Sequence, residues 1–200
     1  MAASLQMHYL ALILIPIFLT SWVKEYFVRE GRHFWKGTII GFLLFGLLMS
    51  PLIVFDLKHN FLNYRAVKEL ILKKDGVLTF NPLQNIVRNP EIYTNNLVGR
   101  YMASENTAIS WVLAVLIIIP LLKGSWSVWF LRNWLFIGIL GLSFYKGNIY
   151  DHYLGFLNPV PFILFGALYS FNKNNYIRWG ILGLAGALFL LNFQKSPIFK

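Results

Sequence analysis

The stretch Ser50-Pro51-Leu52-Ile53-Val54-Phe55-Asp56-Leu57-Lys58-His59-Asn60-Phe61 closes an uncharged apolar run that begins at Gly37. It passes that run to an acid, a base and an imidazole within four residues. A helix needs roughly 20 mostly apolar residues to cross the hydrocarbon layer of a bilayer. Residues 37–55 therefore read as a membrane-spanning helix. Their polar end reads as the point where that helix meets water, and it is the first candidate for a site.

Five further segments have the same character: residues 5–23, 108–122, 126–144, 153–171 and 176–193. The segment 108–122 needs help from Met102 and Ala103, or from bilayer thinning, to reach across. The segment 126–144 carries Arg132, which must snorkel if the helix starts at Trp126. The chain is 57% hydrophobic and 13% charged, more apolar than a soluble domain of 200 residues requires for its core. The expected fold class is an all-α, polytopic helical membrane protein with about six transmembrane helices. Residues 1–55 would hold the first two spans, 56–107 a helical extracytoplasmic loop, and 108–200 four spans and a short tail.

The net charge of +10 is spread over loops and span ends, not gathered into a basic stripe on a soluble domain. Membrane lipid is thus the expected partner and nucleic acid is not. Without cysteine the chain has no disulfide and no thiolate metal site. Counting Lys and Arg in the short connections gives eight on one side, among them Lys24, Arg29, Arg32 and Lys36, against three on the other. Because positive charge stays on the cytoplasmic side, both termini and the long loop are expected outside the cytoplasm. Trp22, Trp35, Trp126, Trp129, Trp134 and Trp179 then fall near the inner interface and Trp111 near the outer one, as in an aromatic belt. No positive charge precedes the first span, so a signal-peptide n-region is missing and the chain reads as the C-terminal fragment of a longer protein.

Within the long loop, Phe61, Leu62, Val67, Leu70 and Ile71 recur at helical spacing while Asn63, Arg65, Lys68, Lys73 and Lys74 take other positions. This predicts a helix lying in the interface and ended by Asp75-Gly76. Residues 82–102 predict a second helical segment broken by Pro90. Pro16, Pro51, Pro120, Pro159 and Pro161 lie in or beside spans and predict kinks, with Pro159 and Pro161 opening a cleft.

With the termini outside, His8, His59 and His152 share one membrane face with Asp56 and Asp151. Two readings stand: ordinary interfacial polar residues, or one shared site. Asp56 and His59 lie three apart, neighbours on a helix. The Asp56 carboxylate orients a ring nitrogen or caps the helix starting near Phe61, and Asn60 is an alternative cap. Two Asp and three His suffice in number for a metal, but no pair has the spacing of a local metal motif, so no metal and no cofactor is expected. Arg65, Lys68, Lys73 and Lys74 offer charged donors to a phosphate, or form the solvated basic face of an interfacial helix.

The run from Ser50 to Phe61 resembles the span end and outer loop of bacterial family 39 glycosyltransferases, members of the GT-C superfamily related to protein mannosyltransferases. Gln6-Met7-His8-Tyr9 is similar to the start of a preceding span there, and His152-Tyr153 with Pro159 and Pro161 to a later His-Tyr-apolar-Pro span. The resemblance implies an enzyme of the bacterial inner membrane that moves a sugar from a polyprenyl-phosphate donor to an acceptor outside the cytoplasm. The family's catalytic carboxylate lies in an earlier outer loop with no counterpart upstream of Gln6. Asp56 does not align with it, so the catalytic residue is unknown and the isolated chain is expected to be inactive. Transfer from a lipid phosphate needs a base for the acceptor and cations for the departing phosphate. Lys58, His59, Arg65 and His152 are the expected donor-phosphate residues, with Asp56, Asp151 and His8 in supporting roles. The alternatives are a non-enzymatic multispanning subunit or scaffold, and a small transporter; the last is disfavoured because charges deep within spans are nearly absent.

Overall fold

The structure is a computed structural model that describes residues 12–28, 32–72 and 81–195. The described chain is helical, with no β-strand among the described residues. We number the helices α1 (Leu14–Val28), α2 (Arg32–Lys58), α3 (Leu62–Leu72), α4 (Leu83–Ile86), α5 (Asn89–Met102), α6 (Thr107–Leu122), α7 (Trp126–Leu142), α8 (Pro159–Phe171) and α9 (Asn175–Gln194). Two compact units are built from them: Met1–Asn85 with Leu140–Phe156, and Ile86–Ile139 with Leu157–Lys200.

In the first unit α1 and α2 meet through aromatic rings. Trp22 packs on Phe34 at 5.4 Å and on Trp35 at 6.4 Å, and its indole N–H donates to the Thr38 hydroxyl at 3.1 Å. The α2 segment Phe34–Lys58 is 25 residues of apolar helix, and the most apolar part of it is not buried by any protein neighbour. Pro51 lies inside this helix. Proline has no N–H for the carbonyl four residues earlier. The preceding residue makes up the loss, because the Ser50 hydroxyl donates to the Leu47 carbonyl at 2.7 Å. The helix therefore continues through the proline.

The second unit holds the main apolar core, where Val98, Leu113, Ile117, Val128, Val160 and Leu164 are essentially inaccessible. Pro90 begins α5 instead of breaking it, because proline fits a first helical turn where the missing N–H has no partner anyway. From Ile92 to Gly99 the helix widens to the π form, with the Arg100 N–H reaching the Asn95 carbonyl five residues back. The Thr94 hydroxyl bonds the Pro90 carbonyl at 2.8 Å, and the Tyr93 hydroxyl donates across to the Ala114 carbonyl at 2.9 Å. Gly99 lets α5 and α6 approach, since a Cβ there would lie 2.6 Å from the Ser110 hydroxyl.

Between α5 and α6 the chain turns by 104°. Ser104 and Glu105 both take positive φ, and Asn106 caps α6 by accepting from the Ile109 N–H at 3.0 Å. Met102, Ala103 and Ser104 on the inner side of the corner are buried while Glu105 and Asn106 are exposed, and α9 bonds polar groups of the buried side. The Asn192 amide donates to the Met102 carbonyl at 2.9 Å and accepts from the Ser104 hydroxyl at 2.8 Å, while the Lys195 ammonium donates to the Ser104 carbonyl at 2.9 Å. At the other end of α6, the Arg132 guanidinium donates to the Leu121 and Lys123 carbonyls at 2.7 and 3.0 Å. Its charge thus caps a helix C-terminus. The Arg132 side chain reaches back toward the polar end of α6.

Among the described residues two helices are long and apolar enough to cross a membrane, Phe34–Lys58 and Asn175–Gln194, and a third is present if the bent pair α5 and α6 is one broken span. The apolar helices α7 and α8 have 17 and 13 residues. At 1.5 Å per residue they reach only about 20–26 Å, short of a hydrocarbon core of roughly 30 Å. The expected span over residues 153–171 is shorter than the apolar run because Asp151–Leu154 forms a 3-10 turn and the helix starts only at Pro159. Pro159 is thus a helix start and not a kink. The first expected span begins outside the described residues, and its helix continues to Val28. The helix expected from Phe61 is α3, while Lys73, Lys74, Asp75 and Gly76 lie outside the described residues.

The corner contacts predict that Asn192→Leu lowers stability by about 2 kcal/mol, since it strands buried polar groups. Unfolding in mixed micelles titrated with denaturing detergent measures this. Adding Ser104→Ala to Asn192→Leu should cost much less than Ser104→Ala alone, because the two share one interaction.

Candidate functional site

At the α2–α3 junction one residue ends a helix and begins the next. The Asp56 carbonyl accepts from the Phe61 N–H at 2.7 Å, six residues closing back over the last turn of α2. Such a closure requires left-handed backbone just past the helix, and Asn60 and Phe61 supply it with φ of 54° and 59°. Asparagine is the usual substitute for glycine at such a position. The Asp56 carboxylate then accepts from the Asn63 N–H at 2.7 Å and the Tyr64 N–H at 3.1 Å, two of the open donors at the start of α3. Of the roles open to Asp56, helix capping is the one found. Asn60 acts in the turn backbone and not as the cap.

Asp56 does not orient His59. The His59 Nδ1 lies 2.8 Å from the Phe55 carbonyl, and its ring stacks on the Phe55 ring at 4.1 Å and 21°. A carbonyl only accepts, so Nδ1 carries the proton. Nε2 is then the open position of an exposed ring: an acceptor when His59 is neutral, a charged donor when it is protonated. Lys58, the last residue of α2, is exposed beside it.

Along α3, Arg65, Lys68, Glu69 and Leu72 follow the i, i+3, i+4, i+7 pattern of one helix face. Together they line an open depression of about 420 Å³. Its chemistry is two cations and one carboxylate beside an apolar floor residue. The N-terminus of α3 is already occupied by the Asp56 carboxylate, so an anion arriving here is received by side-chain cations and not by the helix dipole.

His152 and Asp151 sit in the other chain segment of the same compact unit, at the 3-10 turn Asp151–Leu154. The His152 ring lies parallel to Tyr150 at 5.9 Å and edge-on to Tyr153 at 4.3 Å. Tyr145 completes this group against Tyr153 at 5.8 Å. The clustering of these tyrosines has no signal in the sequence beyond close spacing. Asn85 was also missed, and its amide ties the middle of the long loop to this segment by donating to the Ser143 carbonyl at 2.9 Å. His8 lies outside the described residues. Among the described residues no three His, Asp or Glu side chains converge as a metal site would require.

The capping geometry predicts a local effect. Asp56→Ala should weaken the start of α3 by about 1 kcal/mol. Hydrogen exchange at the Asn63 and Tyr64 amides should then speed up several-fold, with amides in α6 unchanged. Compared with family models, with curated proteins and with solved structures, the chain matches none.

Proposed function

We propose that this chain is the membrane portion of a GT-C-type glycosyltransferase that uses a polyprenyl-phosphate sugar donor, with His59, Arg65 and Lys58 holding the donor phosphate. The observation that carries the reading is an exposed imidazole with a fixed tautomer, followed by a cationic helix face, at the polar end of a 25-residue apolar helix. A lipid-linked phosphate presents its charge at that depth, just outside the hydrocarbon. Arg65 supplies a planar fork suited to phosphate oxygens, and protonated His59 adds a charge-assisted bond through Nε2. As charge collects on the departing phosphate, these groups stabilise it.

In this reading the six apolar segments all cross a bacterial inner membrane, with both termini and the α2–α3 turn on the outer face. The excess of Lys and Arg in the opposite connections supports that orientation. The short helices α7 and α8 then require local thinning or tilted neighbours. His152 is the remaining donor-phosphate candidate, and Asp151 and His8 stay supporting residues of the same proposal. Asp56 contributes by fixing the turn.

A scaffold without chemistry is favoured by one observation, the full engagement of the Asp56 carboxylate in capping. A transfer assay separates the two. With the chain joined to a catalytic N-terminal half, polyprenyl-phosphate-dependent sugar transfer should fall at least tenfold in His59→Ala and Arg65→Ala, about the loss of one charge-assisted contact. Transfer and carrier affinity equal to wild type in both variants would leave the scaffold reading standing.

A further inference from the structure

We propose that the Tyr150–His152 ring pair is a stacking platform for a pyranose ring, the sugar subsite that accompanies the phosphate-holding turn. This rests on the reading of the chain as a user of lipid-linked sugar, and it adds Tyr150, a residue outside the phosphate-holding set, as the platform's principal face.

The two rings are parallel to within 6° with centroids 5.9 Å apart. That separation falls in the range of rings in direct contact, about 4.5–7 Å, so no guest fits between them and a ligand lies on their outward faces. Tyr150 is 55% exposed, and His152 is exposed as well. Behind them Tyr153 stands perpendicular to both, at 87° to Tyr150 and 82° to His152, and Tyr145 is in turn edge-on to Tyr153. The segment is also fixed at its root. Asn85 bonds the Ser143 carbonyl, and Gly147 packs so closely on the Tyr145 ring that a Cβ would approach to 2.9 Å. A pair of aromatic faces is therefore held ready before any ligand arrives, which lowers the entropy cost of binding.

Chemistry narrows the guest. The faces of aromatic rings carry negative quadrupole charge, and the C–H face of a pyranose is weakly positive and apolar while its hydroxyls point to the rim. A quaternary ammonium would also seek aromatic faces, but a protonatable imidazole in the platform and a chain charge of +10 oppose a cation.

The test uses the full chain in lipid nanodiscs, titrated with undecaprenyl phosphate and with its glucosyl, mannosyl and galactosyl esters. At least one ester should bind wild type more tightly than the bare carrier. Tyr150→Ala should weaken that ester about five- to tenfold, the scale of one aromatic contact, and change the bare carrier less than twofold. Tyr150→Phe, which keeps the face, should behave as wild type. Esters no tighter than the bare carrier, or equal losses for both in Tyr150→Ala, overturn the platform. If the bare carrier does not bind wild type, the phosphate reading fails, and methyl glycopyranosides decide the platform alone. Carbon-13 shifts confined to the Tyr150 and His152 rings would then support it, and their absence would overturn it.

Discussion

The pair of N–H groups held by the Asp56 carboxylate is the constraint on which the candidate site depends. A 27-residue helix ends and an 11-residue helix begins within four residues. The open carbonyls of one and the open N–H groups of the other must find partners in that space. Asp56 serves both ends, its carbonyl closing α2 and its carboxylate opening α3. The direction in which α3 departs, and so the direction of the Arg65 and Lys68 face, follows from that double engagement. His59 is fixed by the same turn but through Phe55, one helical turn earlier.

The second unit solves a similar problem with a side chain from far along the sequence. The corner between α5 and α6 puts Ser104 and Glu105 into left-handed backbone, with Met102, Ala103 and Ser104 buried. Asn192 and Lys195 bring their donors from α9. One junction is thus closed by its own residues, while the other adds to its local bonds a set of contacts from α9. A local turn forms with its helices; contacts from a distant amide form with the tertiary structure.

That difference also explains what the sequence could disclose. The apolar runs, the polar junction after Phe55, the α3 helix and the break just before Pro90 are local patterns of composition and spacing, and each was legible. Capping was legible as one of the choices open to Asp56, but the choice itself depends on Asn60 and Phe61 entering left-handed backbone, which no spacing rule signals. Helix length was misjudged at residues 153–171 because hydropathy does not register that Pro159 starts a helix and that Asp151–Leu154 is a 3-10 turn. The π-helical stretch of α5, the Asn192 contacts and the grouping of Tyr145, Tyr150, His152 and Tyr153 are products of tertiary packing. Nothing in the order of residues announced them.

That no residue in the apolar stretch of α2 is buried among the described residues has a consequence for how its sequence is free to vary. At Ile117 or Leu164 a side chain is enclosed on all sides, and its shape is dictated by the atoms around it. Along Ile39 to Val54 the surroundings are set by the solvent of the helix instead of by a mould. Leucine, isoleucine, valine and phenylalanine are there nearly synonymous, and only greasiness and total length are under constraint. In a bilayer such a helix would act as a gauge of the layer's thickness, its sequence free to drift with that thickness while Ser50, Pro51 and Asp56 stay in place.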